Sequence, residues 1–146
     1  MAVCIEPITR VDEALIEALQ PLMQQLNPQL RIVEQELERM LQDPRCHLLV
    51  ARCEGQIVGM LTWVYYDTLA ARRGWVEDVV TLESFRGRGV GRALVEEALK
   101  GAQACGVECL SLTSSAHRQA AHALYRKMDF QPVETTLFRQ NPLERA

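Results

Sequence analysis

The residues best suited to chemistry in this chain are Arg86-Gly87-Arg88-Gly89-Val90-Gly91 and the following Arg92. Glycines at alternate positions let the backbone turn freely and approach a bound group closely. The stretch lies between a strand-like run, Trp75–Thr81, and an amphipathic helix from Val90 to about Ala104. A helix start offers unpaired N–H donors and the positive end of the helix dipole. With the guanidinium groups of Arg86, Arg88 and Arg92 beside it, this is a cradle for a phosphate-like anion.

Two familiar phosphate loops do not match. A Walker loop requires Gly-Lys-Ser/Thr, whereas Gly91 is followed by Arg92-Ala93. In a dinucleotide fingerprint the third glycine would come one residue later. The loop also falls past the middle of a 146-residue chain, which leaves too little room for two βαβαβ halves. Glycines serving only a tight strand-to-helix turn remain the bland reading, and the three arginines weigh against it.

The elements that must position this loop are set by hydrophobic period and punctuation. Val3 to Ile8 alternates as a strand. Thr9 or Asp12 caps a helix to about Leu26, with Leu15, Leu19, Leu22, Met23 and Leu26 on one face, kinked or split at Pro21. Val33 to Leu41 reads as a second helix, ended by Asp43-Pro44. Cys46–Cys53 and Gln56–Tyr66 form a hairpin joined at Glu54-Gly55, and Tyr66–Gly74 is a polar connection. After the glycine loop, Val90, Leu94, Ala98, Leu99 and Ala102 make the apolar stripe of a helix, with Glu96 and Lys100 on its wet side and Gly106 as its stop. Val107–Thr113 is a strand, Gln119–Met128 a helix, and Phe130–Phe138 a last strand. The order is β-α-α-β-β-β-α-β-α-β, a mixed sheet with helices on both faces.

Composition sets broad limits. Apolar residues make up 48% and charged residues 24%, the mix of an ordinary globular domain, and the net charge of −3 gives no general attraction to nucleic acid or anionic lipid. No apolar run is long enough for a membrane span, and the N-terminus has no signal-peptide pattern, so a cytoplasmic protein is expected. Five cysteines without a Cys-x-x-Cys pair or histidines at zinc spacing read as free thiols, with no metal. His47 and His122 read as packing or surface residues, and His117 lies at a helix start.

The loop 86–91 resembles the Gln/Arg-x-x-Gly-x-Gly/Ala signature of the GNAT N-acetyltransferase superfamily. Val76-Glu77-Asp78-Val79-Val80 is similar to the strand before that signature, and His122–Phe130 to the family's later "LY-x-x-x-GF" helix. The specific motifs lie in residues 75–130, and the element order extends the resemblance over nearly the whole chain. It implies one N-acetyltransferase domain over residues 1–146 with the GNAT fold. The chain departs from the pattern at Glu83, where many members have proline, at Asp129, where many have glycine, and at Arg118, where many have asparagine. Ser114, Arg118, Ala121 and His122 follow the pattern of one branch instead. Asp129 is expected to take a left-handed backbone conformation.

The resemblance implies acetyl-CoA as donor, coenzyme A as product and a primary amine as acceptor. Backbone amides from Gly87 to Arg92 would hold the pyrophosphate, with Arg86 and Arg118 also on the cofactor side. Val79, Val80 and Thr81 would pair with the pantetheine arm like an added strand, where this strand splays from the next. An N–H near Val79 or Val80 would polarise the thioester carbonyl. A free amine with a pKa near ~10 is protonated at neutral pH, so direct attack needs a base. Glu77 and Asp78 are the candidates; a regular strand points them to opposite faces, and Glu77 is favoured. Tyr125 stands at the place of the family's general acid, although it also lies on the apolar stripe of its helix. The acceptor would meet Leu26–Arg31 and Trp63–Asp67, where Trp63, Tyr65, Tyr66 and Asp67 suit a cationic amine with an apolar body or equally pack the sheet. Expected partners are a small-molecule or peptide amine, without nucleic acid or membrane; a homodimer is compatible. A non-catalytic acetyl-CoA-binding module of the same fold is the alternative.

Overall fold

A computed structural model of the chain describes residues 2–143. The elements are β1 (Val3–Pro7), α1 (Glu13–Leu26), α2 (Glu34–Gln42), β2 (Cys46–Cys53), β3 (Gln56–Asp67), β4 (Arg72–Thr81), a 3-10 turn (Glu83–Phe85), α3 (Val90–Ala104), β5 (Cys109–Ser111) and α4 (Gln119–Lys127). The chain divides into two compact units after Thr113.

The first unit is a mixed five-stranded sheet in the order β1-β2-β3-β4-β5. The first four strands are antiparallel neighbours, and β5 runs parallel to β4. Glu54 and Gly55 both have positive φ (51° and 81°), which is what a two-residue primed turn between β2 and β3 demands. The expected polar connection is a tight hairpin instead: Thr68 bridges to Ala71, and β4 begins at Arg72, three residues earlier than the apolar run suggests. Conversely, β5 shrinks to three residues.

On one face of the sheet, Leu15, Leu19 and Leu22 of α1 meet Leu48, Val50, Ile57, Met60 and Val80, with Leu37, Met40 and Leu41 of α2 packed against them. Burying each such leucine contributes roughly 1.5–3 kcal/mol. That anchoring carries α1 through Pro21 as one helix, so of the kink or split expected there the split does not occur. Asp12 is its cap: the carboxylate accepts from the Leu15 N–H at 2.7 Å.

The other face is covered by α3, through Val90, Leu94, Val95, Ala98 and Ala102. Close approach here depends on glycines. A Cβ on Gly59 of β3 would lie 2.8 Å from Val90 Cγ1, and one on Gly101 of α3 would lie 2.8 Å from the Trp63 ring. Trp63, only 2% exposed, is thus a core residue, so of the two roles open to it the packing one is realised. His47, its cross-strand partner, stacks on it with ring centroids 4.0 Å apart. On the wet side of α3, Glu96 bonds Arg92 at 2.9 Å, so its helical partner is the residue four before it and not Lys100.

The second unit begins at Ser114 and contains α4. No strand forms over Phe130–Phe138, which corrects the expected last β-element. Pro132 lacks a ladder donor, and Val133, Leu137 and Phe138 are 78%, 64% and 89% exposed, so neither face of the segment is buried.

Gly101→Ala tests the packing. Alanine gains about 1 kcal/mol of helix propensity, but the clash with the Trp63 ring costs about 1–3 kcal/mol. The expected outcome is net destabilisation, read as a lower urea midpoint. His47 supplies a second test, because burial lowers its imidazole pKa below 6.5 and its Nε2 is buried without a partner. As pH falls below 6.5, the unfolded chain takes up a proton that the folded one resists. Stability is therefore complete above that pH and declines toward pH 5. His47→Phe, which keeps a ring against Trp63, should flatten this part of the stability–pH curve.

Candidate active site

The site in the first unit is built on a change of phase in β4. Thr62 pairs with Glu77 and Met60 with Val80, so Leu61 alone stands opposite both Asp78 and Val79. This is a β-bulge, and Asp78 takes φ 52° at it. Four residues apart, Val76 and Val80 would share a face of a regular strand. Instead Val76 pairs with Trp63 on the α3 side, and Val80 joins the core under α1. The simple alternation argument for Glu77 against Asp78 therefore does not apply here.

Glu77 shares the α1 side of the sheet with Trp75 and Tyr66, since Thr62, Val64 and Tyr66 alternate along β3 opposite Glu77, Trp75 and Arg73. The Trp75 indole N–H donates to the Tyr66 hydroxyl at 3.3 Å. Sequence reading missed Trp75 as part of this surface, because only the pairing register reveals it. Tyr65 and Asp67 are committed elsewhere. Arg72 lies over the Tyr65 ring at 5.0 Å and donates to both Asp67 carboxylate oxygens, at 2.7 and 3.0 Å. Glu77 is exposed. Asp78 is also solvent-accessible, but packing around the bulge removes enough water to raise its carboxyl pKa.

Pairing of β4 with β5 covers only Arg73–Trp75 opposite Cys109–Ser111. From Val76 to Thr81, including Val79 and Val80, β4 has no strand partner on that side among the described residues, so the pairing opens as expected; the Thr81 carbonyl accepts from Gln25 Nε2 at 2.9 Å. The strand then runs into the glycine loop. Gly87 and Gly89 have φ 76° and 80°, a region costly for other residues, and a Cβ at either would meet nothing within 4 Å. Space above the loop is therefore open. Gly89 is the N-cap of α3, and no side chain caps that helix start. The first amides of α3 lack intrahelical acceptors by construction, so Val90, Gly91 and Arg92 present donors beside the open loop. Gly91 is not in the left-handed region, and its added Cβ would sit 4.0 Å from Thr81 Oγ1. Arg86 is exposed, Arg88 lies over the Phe85 ring at 5.2 Å, and Arg92 is held by Glu96. Three arginines and the first backbone donors of α3 thus lie along one short stretch of chain beside the open glycine turn.

In the second unit, α4 closes with a Schellman turn. The Phe130 N–H donates to the Tyr125 carbonyl at 2.9 Å, and the Asp129 N–H donates to the Arg126 carbonyl at 3.1 Å. Asp129 takes the expected left-handed conformation, φ 67°. The Phe130 ring meets the Tyr125 ring edge-on at 5.9 Å and orients the phenol. Burial raises the Tyr125 pKa above its ordinary 10.0, partly opposed by the positive charge of Arg118, so the hydroxyl stays protonated through neutral pH. Arg118 itself is the exposed N-cap residue of α4 and forms no side-chain cap.

Among the described residues, no group of three or more His, Cys, Asp or Glu is placed to hold a metal, and no helix is long and apolar enough to cross a membrane.

The chain matches the model of the acetyltransferase (GNAT) family over residues 13–130. It belongs to that family. It is 29% identical over 103 residues to the uncharacterized N-acetyltransferase YycN of Bacillus subtilis, covering 69% of this chain and 65% of that protein. Aminoalkylphosphonate N-acetyltransferase of Salmonella typhimurium is 30% identical over 87 residues, covering 58% of this chain and 56% of that one. Among solved structures, a putative acetyltransferase from Agrobacterium tumefaciens superposes with a TM-score of 0.79 at 29% identity, over 94% of this chain and 99% of that chain. The chain spans 40% to 65% of the length of the curated relatives it matches.

Asp129 offers a test of the α4 turn. Asp129→Gly should fold at least as stably as the parent, whereas Asp129→Val should lose about 1–2 kcal/mol from forcing a branched residue into the left-handed region. Thermal unfolding of the two variants reads the difference.

Proposed function

We propose that this protein is an acetyl-CoA-dependent N-acetyltransferase that moves the acetyl group to a primary amine by direct attack. The observation that carries this reading is the edge of β4 from Val76 to Val80, without a strand partner among the described residues, running on into an uncapped, glycine-lined helix start. One length of backbone there offers strand-like pairing to an amide-bearing arm, and the next offers donors to a pyrophosphate. Val79 and Val80 take the first role, with Thr81, whose carbonyl is held by Gln25, at the end of that row; Gly87 to Arg92, with Arg86, take the second.

In the reaction, the amine nitrogen attacks the thioester carbonyl, the C–N bond forms and the C–S bond breaks. The excess amine proton passes to a carboxylate, directly or through water, and the departing thiolate takes a proton from a phenol. Glu77 is the proposed base, supported by its place on the same sheet face as Tyr66 and Trp75, a surface suited to an amine with an apolar body. Asp78, with its raised pKa, is the competing base. Tyr125 is the proposed acid, supported by a phenol that burial keeps protonated and that the Phe130 turn orients. Asp129 completes the turn that a glycine would make, so its presence gives no reason to favour the non-catalytic module.

The test combines acetyl-CoA binding by calorimetry with thiol release measured against a panel of amines. Binding together with thiol release on at least one amine is expected. Tyr125→Phe should lower kcat roughly a hundredfold while leaving the acetyl-CoA Kd unchanged. Glu77→Gln should lower turnover most at neutral pH and recover as rising pH deprotonates the amine. Unchanged turnover of Tyr125→Phe, with chemistry rate-limiting, removes it as the acid. Acetyl-CoA binding without turnover on any amine favours the module.

A further inference from the structure

We infer that Gln25, near the end of α1, is a positioning residue for the donor loop. Its amide uses both of its ends on the chain entering that loop. The Nε2 donates to the Thr81 carbonyl at 2.9 Å, and the Oε1 accepts from the Glu83 N–H at 3.2 Å. Between these two, the Leu82 N–H donates to the Val58 carbonyl of β3 at 2.8 Å. Three consecutive residues are therefore tied alternately to α1 and to the sheet.

The loop beyond this staple takes its starting point from it. Glu83 starts the 3-10 turn, its carbonyl accepts from the Arg86 N–H at 3.3 Å, and Gly87 and Gly89 come next. Neither glycine has a packing contact above it, and no side chain caps the start of α3. The geometry of the cradle is thus set at its two ends. One end is the helix, locked into the sheet by Val90 and Leu94; the other is the strand exit held by Gln25. Releasing the second end frees the loop to sample shapes in which its amides diverge, and ordering it again then costs binding free energy.

The same residue adjoins the α1–α2 connection, which begins at Asn27. A side chain on that connection's doorstep and a backbone on the donor side thus share one amide group. This inference rests on reading the loop as the acetyl-CoA cradle.

The experiment compares wild type with Gln25→Met, which keeps the length of the side chain and removes both bonds. Acetyl-CoA affinity is measured by calorimetry, ligand-free melting by calorimetric scan, and amide hydrogen exchange over residues 82–92 by mass spectrometry. Gln25→Met is expected to raise the acetyl-CoA Kd about fivefold, the size of one net hydrogen bond. Ligand-free melting should stay near wild type, and exchange in residues 82–92 should quicken. Should methionine perturb folding, Gln25→Glu serves as the second variant. It keeps the acceptor for Glu83 and loses only the bond to Thr81, so exchange over residues 82–92 should quicken, but less than in Gln25→Met. Wild-type affinity in a folded variant, or weakened binding with unchanged exchange, overturns the inference alone. Absence of acetyl-CoA binding by the wild type overturns it together with the proposed function.

Discussion

The structure of the first unit depends on one demand placed on β4: it must bury a valine on each face within five residues. Val76 has to fill the α3 side beside Trp63, and Val80 has to fill the core beneath α1. A regular strand places residues four apart on the same face. The extra residue at the Asp78–Val79 bulge resolves the conflict, and its cost is a non-glycine residue at positive φ. The bulge sits just beyond the last residues that pair with β5. Core packing and the opening of the sheet are therefore settled by the same few residues.

From that point the chain moves from closed to open hydrogen bonding in a short distance. Strand β4 is paired on both edges at Arg73–Trp75, on one edge to Thr81, and then gives way to a loop whose glycines meet no packed atoms. Buried backbone groups are normally satisfied within a protein. Where a fold leaves a row of them turned toward open space, a ligand's amides and phosphates can complete the pattern. The two glycines contribute through backbone conformation alone, whereas Gly59 and Gly101 contribute by letting α3 lie close to the sheet.

Much of this was legible in the residues because it is local. The glycine loop, the Glu54-Gly55 turn, the stripe of α3 and its Gly106 stop, and the left-handed turn at Asp129 each rest on a few neighbouring positions with strong backbone preferences. What was hidden depends on residues distant in sequence. Nothing around Asp78 announces a bulge, since its cause lies in the packing of α1 and α3 on opposite faces. Trp63 looked like a recognition residue because its neighbours are aromatic and polar; only the small surface of Gly101, on another element, makes room to bury it. Asp67 looked available until the hairpin brought Arg72 beside it. The expected last strand had the right composition, yet residues after Phe130 lack a buried face.

The bulge also makes β4 a segment whose length carries information that its composition does not. Many single replacements at positions 77–79 would leave the valines on their proper sides. Straightening the strand at its present length would not: simple alternation would put Val76 and Val80 on one face, and one of them would turn out of its core, whereas removing Asp78 along with the bulge would leave them three apart on opposite faces. Among relatives of this chain, a strand with this spacing should therefore carry a bulge, and a strand one residue shorter should do without it. Other insertions and deletions would be absorbed in the hairpin at Thr68–Ala71.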